Sequence, residues 1–168
     1  MSLRRGLDDG RVPTMRLALV VFLLLIGPAF AQSTERYDNA RFGYSMNVPD
    51  GFVGQGGSAN GDGQAFAVPG LAIALLVWGG SLADFEAEVA MRMAQDAGEG
   101  WNQTYQAVTP RWASWSSVAG GQILYQRMIL LCDGQSYAAF RAEYGLRDRV
   151  EMDPVVEQLV ASLQGATC

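Results

Sequence analysis

The chain has 168 residues, 12 basic against 17 acidic, for a net charge of −5. All the basic residues are arginine and histidine is absent, which removes the usual general base, the commonest transition-metal ligand and every Ser/His or Cys/His nucleophile pair. An acidic surface repels phosphate backbones and anionic headgroups, so nucleic acid and membrane surfaces are disfavoured as partners.

Met15 to Ala31 reads as a secretory signal. Arg16 is a short positive region, Leu17 to Ile26 is uninterruptedly apolar, and Gly27-Pro28 breaks the helix. Ala29-Phe30-Ala31 has the small-x-small pattern of signal peptidase sites, placing cleavage before Gln32. The ten-residue run would rise about 15 Å as a helix, half the hydrocarbon thickness, so a cleaved leader is expected and not an anchor. Residues 1–14 carry Asp8 and Asp9 and fit poorly as a signal start; Met15 is the expected initiator. Processing would leave eight arginines against fifteen acids, a balance of −7, on 137 residues: enough for one domain and too few for two.

Gln32 to Ala40 is polar and is expected to be a loose leader, with a single domain over 41–168. Phe42, Tyr44, Met46 and Val48 alternate as a strand should, and Pro49-Asp50-Gly51 is a turn. Five glycines within Gly54–Gly63 predict a mobile loop. Gln64–Val68 and Leu71–Trp78 flank Pro69-Gly70 as a hairpin, the second arm apolar on both faces like a strand covered on both sides. Leu82, Phe85, Val89 and Met93 recur at helical spacing over Ser81–Ala97. Ser81 stands at the N-cap with Asp84 three residues on, Glu88 can pair with Arg92, and Gly98 is the expected left-handed stop.

Four strands follow: Trp101–Val108, Arg111–Val118, Gln122–Cys132 and Gln135–Tyr144. Their turns are marked by Gly120-Gly121 and Asp133-Gly134. A two-residue Asp-Gly turn pairs Cys132 with Gln135 and sets Arg127 opposite Phe140. Asp153-Pro154 then opens a terminal helix, Asp as N-cap and Pro at its first position, with Val156, Leu159, Val160 and Leu163 as the buried stripe. The result is an α+β domain in which amphipathic helices pack on the faces of an antiparallel sheet.

Arg41-Phe42-Gly43-Tyr44-Ser45-Met46-Asn47-Val48-Pro49, with Phe52 after the turn, resembles the opening of Mog1/PsbP-like domains. The mid-chain helix after a hairpin, the four-strand meander and the closing Asp153-Pro154 helix are similar to that layout too, so the resemblance covers most of 36–164. It implies an α/β/α sandwich and a role in partner binding or assembly. It brings no catalytic residue with it.

The chemistry-bearing residues are few. Cys132 and Cys168 are the only cysteines, and in an oxidising compartment they are expected to form a structural disulfide closing a loop of about 37 residues. Their spacing is not that of a redox-active CxxC pair. Asn60-Gly61-Asp62-Gly63 partly matches a calcium loop, but position one is Ser58 and position twelve Pro69, so a glycine-rich turn is the better reading. Trp101, Tyr105, Trp112 and Trp115 cluster in the meander; strand period sends Trp112 and Trp115 to opposite faces, so that at least one is exposed or packs under a helix. An aromatic core beneath the two helices is the better reading, and an exposed ring that stacks on a sugar or anchors a partner is the alternative. Arg127 lies inside an apolar strand, which calls for an internal carboxylate or a ligand's carboxylate.

These features point to an exported, periplasmic or secreted, non-enzymatic domain that binds a protein partner or assists envelope assembly, needing no cofactor or metal. Trp112, Trp115, Asn60, Asp62 and Arg127 are the candidate contacts. A small-ligand or glycan-binding module is the alternative, and a hydrolase the third.

Overall fold

The computed structural model describes residues 35–167. The leader with Ala29, Ala31 and Gln32, and the terminal Cys168, lie outside the described residues. In chain order the elements are β1 (Glu35–Asn39), β2 (Tyr44–Val48), β3 (Val53–Gly57), β4 (Gly63–Ala67), β5 (Ala74–Ser81) and α1 (Phe85–Gly98). The meander β6 (Asn102–Val108), β7 (Trp112–Ala119), β8 (Gln122–Leu130) and β9 (Ser136–Gly145) follows, then α2 (Arg149–Ser162) and β10 (Gln164–Gly165). Seven strands form an antiparallel sheet in the order β3-β4-β5-β9-β8-β7-β6, and β1-β2-β10 form a small second sheet. One face of the large sheet is covered by α1, through Phe85 and Val89 on Trp115, Leu124 and Met128. The small sheet and α2 supply the other layer, through Tyr44, Met46, Val48, Met152, Val156 and Leu159 on Leu75, Val77, Phe140 and Tyr144. The architecture is the expected α+β sandwich, with a second sheet that the strand pattern did not disclose.

Two segments expected to be irregular are strands. Within the polar 32–40 leader, Glu35–Asn39 is β1, paired to β2 in the register Glu35↔Val48. Only Tyr37 and Asn39 turn inward, too few to show as apolar alternation, and Asn39 is held by a bond from its Nδ2 to the Gly61 carbonyl at 3.0 Å. Within the expected mobile loop Gly54–Gly63, Val53–Gly57 is β3, bulged between Gly54 and Gly56, and β4 already begins at Gly63. Backbone pairing carries this exposed edge strand, which explains its lack of a hydrophobic pattern.

Helix boundaries moved for local reasons. Ser81 ends β5, and the N-cap of α1 is Asp84, whose Oδ1 accepts from the Ala87 N–H at 2.7 Å. The left-handed residue past this helix is Gly100, with φ 93°, not Gly98. Glu88 and Arg92 pair at 2.7 Å as their spacing predicts. α2 starts before Asp153: a 3₁₀ turn at Leu146–Asp148 leads into it and Pro154 is internal. Burial of Met152 (3 % exposed) anchors the added first turn and outweighs the hydrogen bond that proline forfeits. β5 lies inside the sheet: Leu75 and Val77 point into the core on the α2 side, and on the other face Trp78 packs against the α1 cluster while Leu76 is 44 % exposed.

The meander follows the expected register, with Arg127 opposite Phe140. Gly120 and Gly121, both at positive φ (53° and 83°), make the β7–β8 turn. Ladder pairing at the β8–β9 end stops at Leu130↔Tyr137. The loop beyond it is closed by Asp133 Oδ1, which accepts from the Gln135 and Ser136 amides at 2.9 and 2.8 Å.

Candidate functional site

Alternation along β7 and β8 divides the expected contact residues between the two faces of the sheet. Trp115 faces α1 and is fully buried, with its Nε1 donating to Asp96 Oδ2 at 2.8 Å. Arg141 donates to the other oxygen of Asp96 at 2.6 Å and to Glu143 at 2.6 Å. Trp115 is therefore a core residue and no contact surface. This buried network was not visible in the sequence; its signal was an acid, Asp96, at the end of a helix whose partners lie 19 and 45 positions away.

Trp112 and Arg127 face the α2 side together, as their registers require: Trp112 pairs with Ile129 and Ser114 with Arg127. The Arg127 guanidinium lies 4.3 Å from the Trp112 ring centroid, and its Nη1 donates to Ser114 Oγ at 3.0 Å. Its Nε is buried and has no acceptor. No carboxylate among the described residues pairs with it, whereas Arg141 in the neighbouring strand is flanked by three, Asp96, Glu143 and Glu99. Desolvation pushes the Arg127 pKa down, the direction that disfavours its charge. Alongside, between α2 and β6–β8, runs a groove of about 710 Å³ lined by Tyr105, Val118, Tyr125, Leu146, Val156 and Val160. Tyr105 is 51 % exposed, on the edge strand β6.

Asn60 and Asp62 belong to the β3–β4 turn, remote from this face. Asn60 Nδ2 donates to Asp62 Oδ2 at 2.8 Å, and the Asn60 carbonyl accepts from Arg41. Hydrogen bonding from Ser58 heads the causes that hold the Asp62 carboxyl below its ordinary range. The Ser58, Asn60 and Asp62 bonds are internal to a glycine-rich turn, and Arg41 ties that turn to the β1–β2 connection. Among the described residues no group of three or more His, Cys, Asp or Glu is placed to hold a metal, and no helix is long and apolar enough to cross a membrane.

No protein-family model and no curated protein sequence matches the chain. Solved structures do. A cyanobacterial PsbP (CyanoP) from Synechocystis sp. PCC 6803 superposes with a TM-score of 0.60 at 14 % identity, over 83 % of this chain and 96 % of that one. The Ran-binding protein Mog1p of Saccharomyces cerevisiae superposes with a TM-score of 0.57 at 9 % identity, over 80 % and 96 %. At such identities what is shared is the fold: this chain has the Mog1/PsbP-like fold.

Proposed function

We propose that the protein is an exported, non-enzymatic binding module that docks a protein partner on the sheet face bearing Arg127 and Trp112. One observation carries this reading: a guanidinium in the middle of a sheet, backed by an indole ring, with a buried donor and no carboxylate to pair with among the described residues. Burying a cation unpaired is costly, and a partner's Asp or Glu would supply the missing charge and a planar acceptor. The exposed Tyr105 and the apolar groove beside it suit the surrounding contact, since aromatic side chains and arginine are typical anchors of protein interfaces. The fold is shared with the Ran-binding protein Mog1p, which supports partner recognition.

Export rests on the leader, with cleavage after Ala31. The Cys132–Cys168 bridge rests on that compartment. It is favoured by β10, which pairs with β2 and returns the tail so that the Ala166 carbonyl oxygen lies 3.1 Å from Cys132 Sγ. The absence of histidine and the pairing of Asp96 with Arg141 favour binding over hydrolysis.

A photo-crosslinking residue at Tyr105 in the native host tests the docking face, with one at Glu86 on α1 as the control. A discrete protein adduct from position 105, absent from position 86 and lost in Arg127→Met, is expected. Adducts from position 86 alone would overturn the assignment.

A further inference from the structure

The edge of a sheet presents unpaired backbone amides and carbonyls, and proteins guard such edges with charge, irregularity or short length. Among the described residues, three of the four edge strands are guarded in this way. β1 carries Glu35, Arg36 and Asp38, β3 is bulged and has three glycines in five residues, and β10 is two residues long. β6 is the exception: Asn102–Val108 has no charged residue, and every side chain on it except Ala107 is exposed. Its own bulge, between Gln103 and Tyr105, leaves Tyr105–Val108 in regular register with β7. The Thr109 N–H donates to the Trp112 carbonyl at 2.9 Å, so alternation down the ladder makes Ala107↔Ser114 a bonded pair. The N–H and C=O of Gln106 and of Val108 then point outward, away from β7.

The charges at the two ends of this strand indicate what pairs with it. The chain as a whole is acidic, so a second copy is repelled except where the meeting surfaces lack negative charge. β6 meets that condition. Arg111, in the turn that follows it, is exposed and forms no ion pair with any described residue. Glu99, ahead of its first residue, is half-exposed, and the arginine it pairs with, Arg141, is 3.9 Å away. Antiparallel pairing of β6 with β6 of another copy sets the start of each strand beside the end of the other, so an arginine and a glutamate come together at both ends of the seam. With Gln106 opposite Val108 of the second copy, each such pair exchanges both its N–H and its C=O bond, and the small Ala107 faces its own counterpart at the two-fold axis. Tyr105 and Val108, 51 % and 44 % exposed, each gain cover from the facing strand. The contact is isologous and uses each β6 edge once, leaving the guarded β3 edges at the ends, so assembly closes at a dimer.

We propose that the protein forms a two-fold dimer in which β6 of two copies pair antiparallel and join the two large sheets into one. The seam occupies the edge of the sheet and leaves the Arg127 face open, so it holds whether or not that face docks a partner. The test is sedimentation of the mature protein from micromolar to millimolar concentration, with amide hydrogen exchange at both limits. A reversible monomer–dimer equilibrium is expected, in which the Gln106 and Val108 amides exchange at least about tenfold more slowly in the dimer. The Ala107 amide, bonded within the sheet, should be protected at both limits. Gln106→Pro, which deletes an outward N–H and no bond of the sheet, should abolish dimerisation. Arg111→Glu, at an exposed turn position that leaves folding intact, should weaken it about tenfold, and adding Glu99→Arg to that variant should restore it. A monomer at millimolar concentration would overturn the proposal and leave the edge to a strand from another protein. A dimer whose Gln106 and Val108 amides exchange as fast as in the dilute protein, or undiminished dimerisation of either single variant, would overturn it equally.

Discussion

The indole Nε1 of Trp115 donates to Oδ2 of Asp96 at 2.8 Å, tying the centre of the meander to the last turn of α1. Replacing Trp115 with Phe leaves this buried oxygen without its donor and opens a void beside Leu124 and Met128. We expect a stability loss of about 2–4 kcal/mol in urea denaturation, combining the lost bond with the lost volume. A loss below 0.5 kcal/mol would show that Asp96 is satisfied without the indole.

Gly63 stands opposite Trp78 across the β4–β5 ladder, where an added Cβ would lie 2.1 Å from the Val77 carbonyl oxygen. Backbone cannot yield as a flexible side-chain tip can, so Gly63→Ala should destabilise the fold by at least the roughly 1–3 kcal/mol typical of overpacking. Gly57→Ala, whose new methyl would meet nothing nearer than 3.6 Å, is the control and should shift the melting temperature little. Equal melting temperatures for the two variants would contradict the packing described.

Arg127→Met removes a desolvated charge that has only Ser114 and the Trp112 ring for partners. Exchange of a buried charge for an apolar side chain of similar length is commonly neutral or better, so stability should stay within about 1 kcal/mol of the parent. Partner capture should fall sharply. A loss above about 3 kcal/mol would instead make Arg127 a structural residue and remove the main support for the docking face.

Burial raises the pKa of Tyr44, Tyr137 and Tyr144, desolvation being the first cause in each case. Above the ordinary tyrosine value of 10.0 the unfolded chain releases these protons while the folded one retains them, so the folded state binds more protons and stability falls as pH rises. Below that pH their contribution is complete. Alkaline titration should therefore show tyrosinate absorbance for these groups rising together with loss of the near-ultraviolet dichroism. Ionisation of all six tyrosines at their ordinary value with the fold intact would refute this.

Export and the bridge are checked by one measurement. The intact mass of the secreted product should correspond to residues 32–168 and rise by two hydrogens on reduction. Reduction should lower stability by about 3–4 kcal/mol, the chain-entropy value for a loop of this length.

Chain order, the amphipathic α1 stripe, the meander and its register were legible in the sequence, because they depend on local periodicity and turn chemistry. Apolar residues spaced by three and four specify a helix wherever it packs, and Gly120-Gly121 and Asp133-Gly134 set the turns between their strands. β1, β3 and β10 were not legible: they are short and polar or glycine-rich, and backbone pairing with distant segments holds them in place. The same division runs through the candidate sites. The sequence placed Arg127 inside an apolar strand and opposite Phe140. Only the tertiary structure gave Asp96 to Arg141 and left Arg127 over Trp112 without a carboxylate, because the nearest charged partner of a sheet residue is chosen by which elements pack on its face.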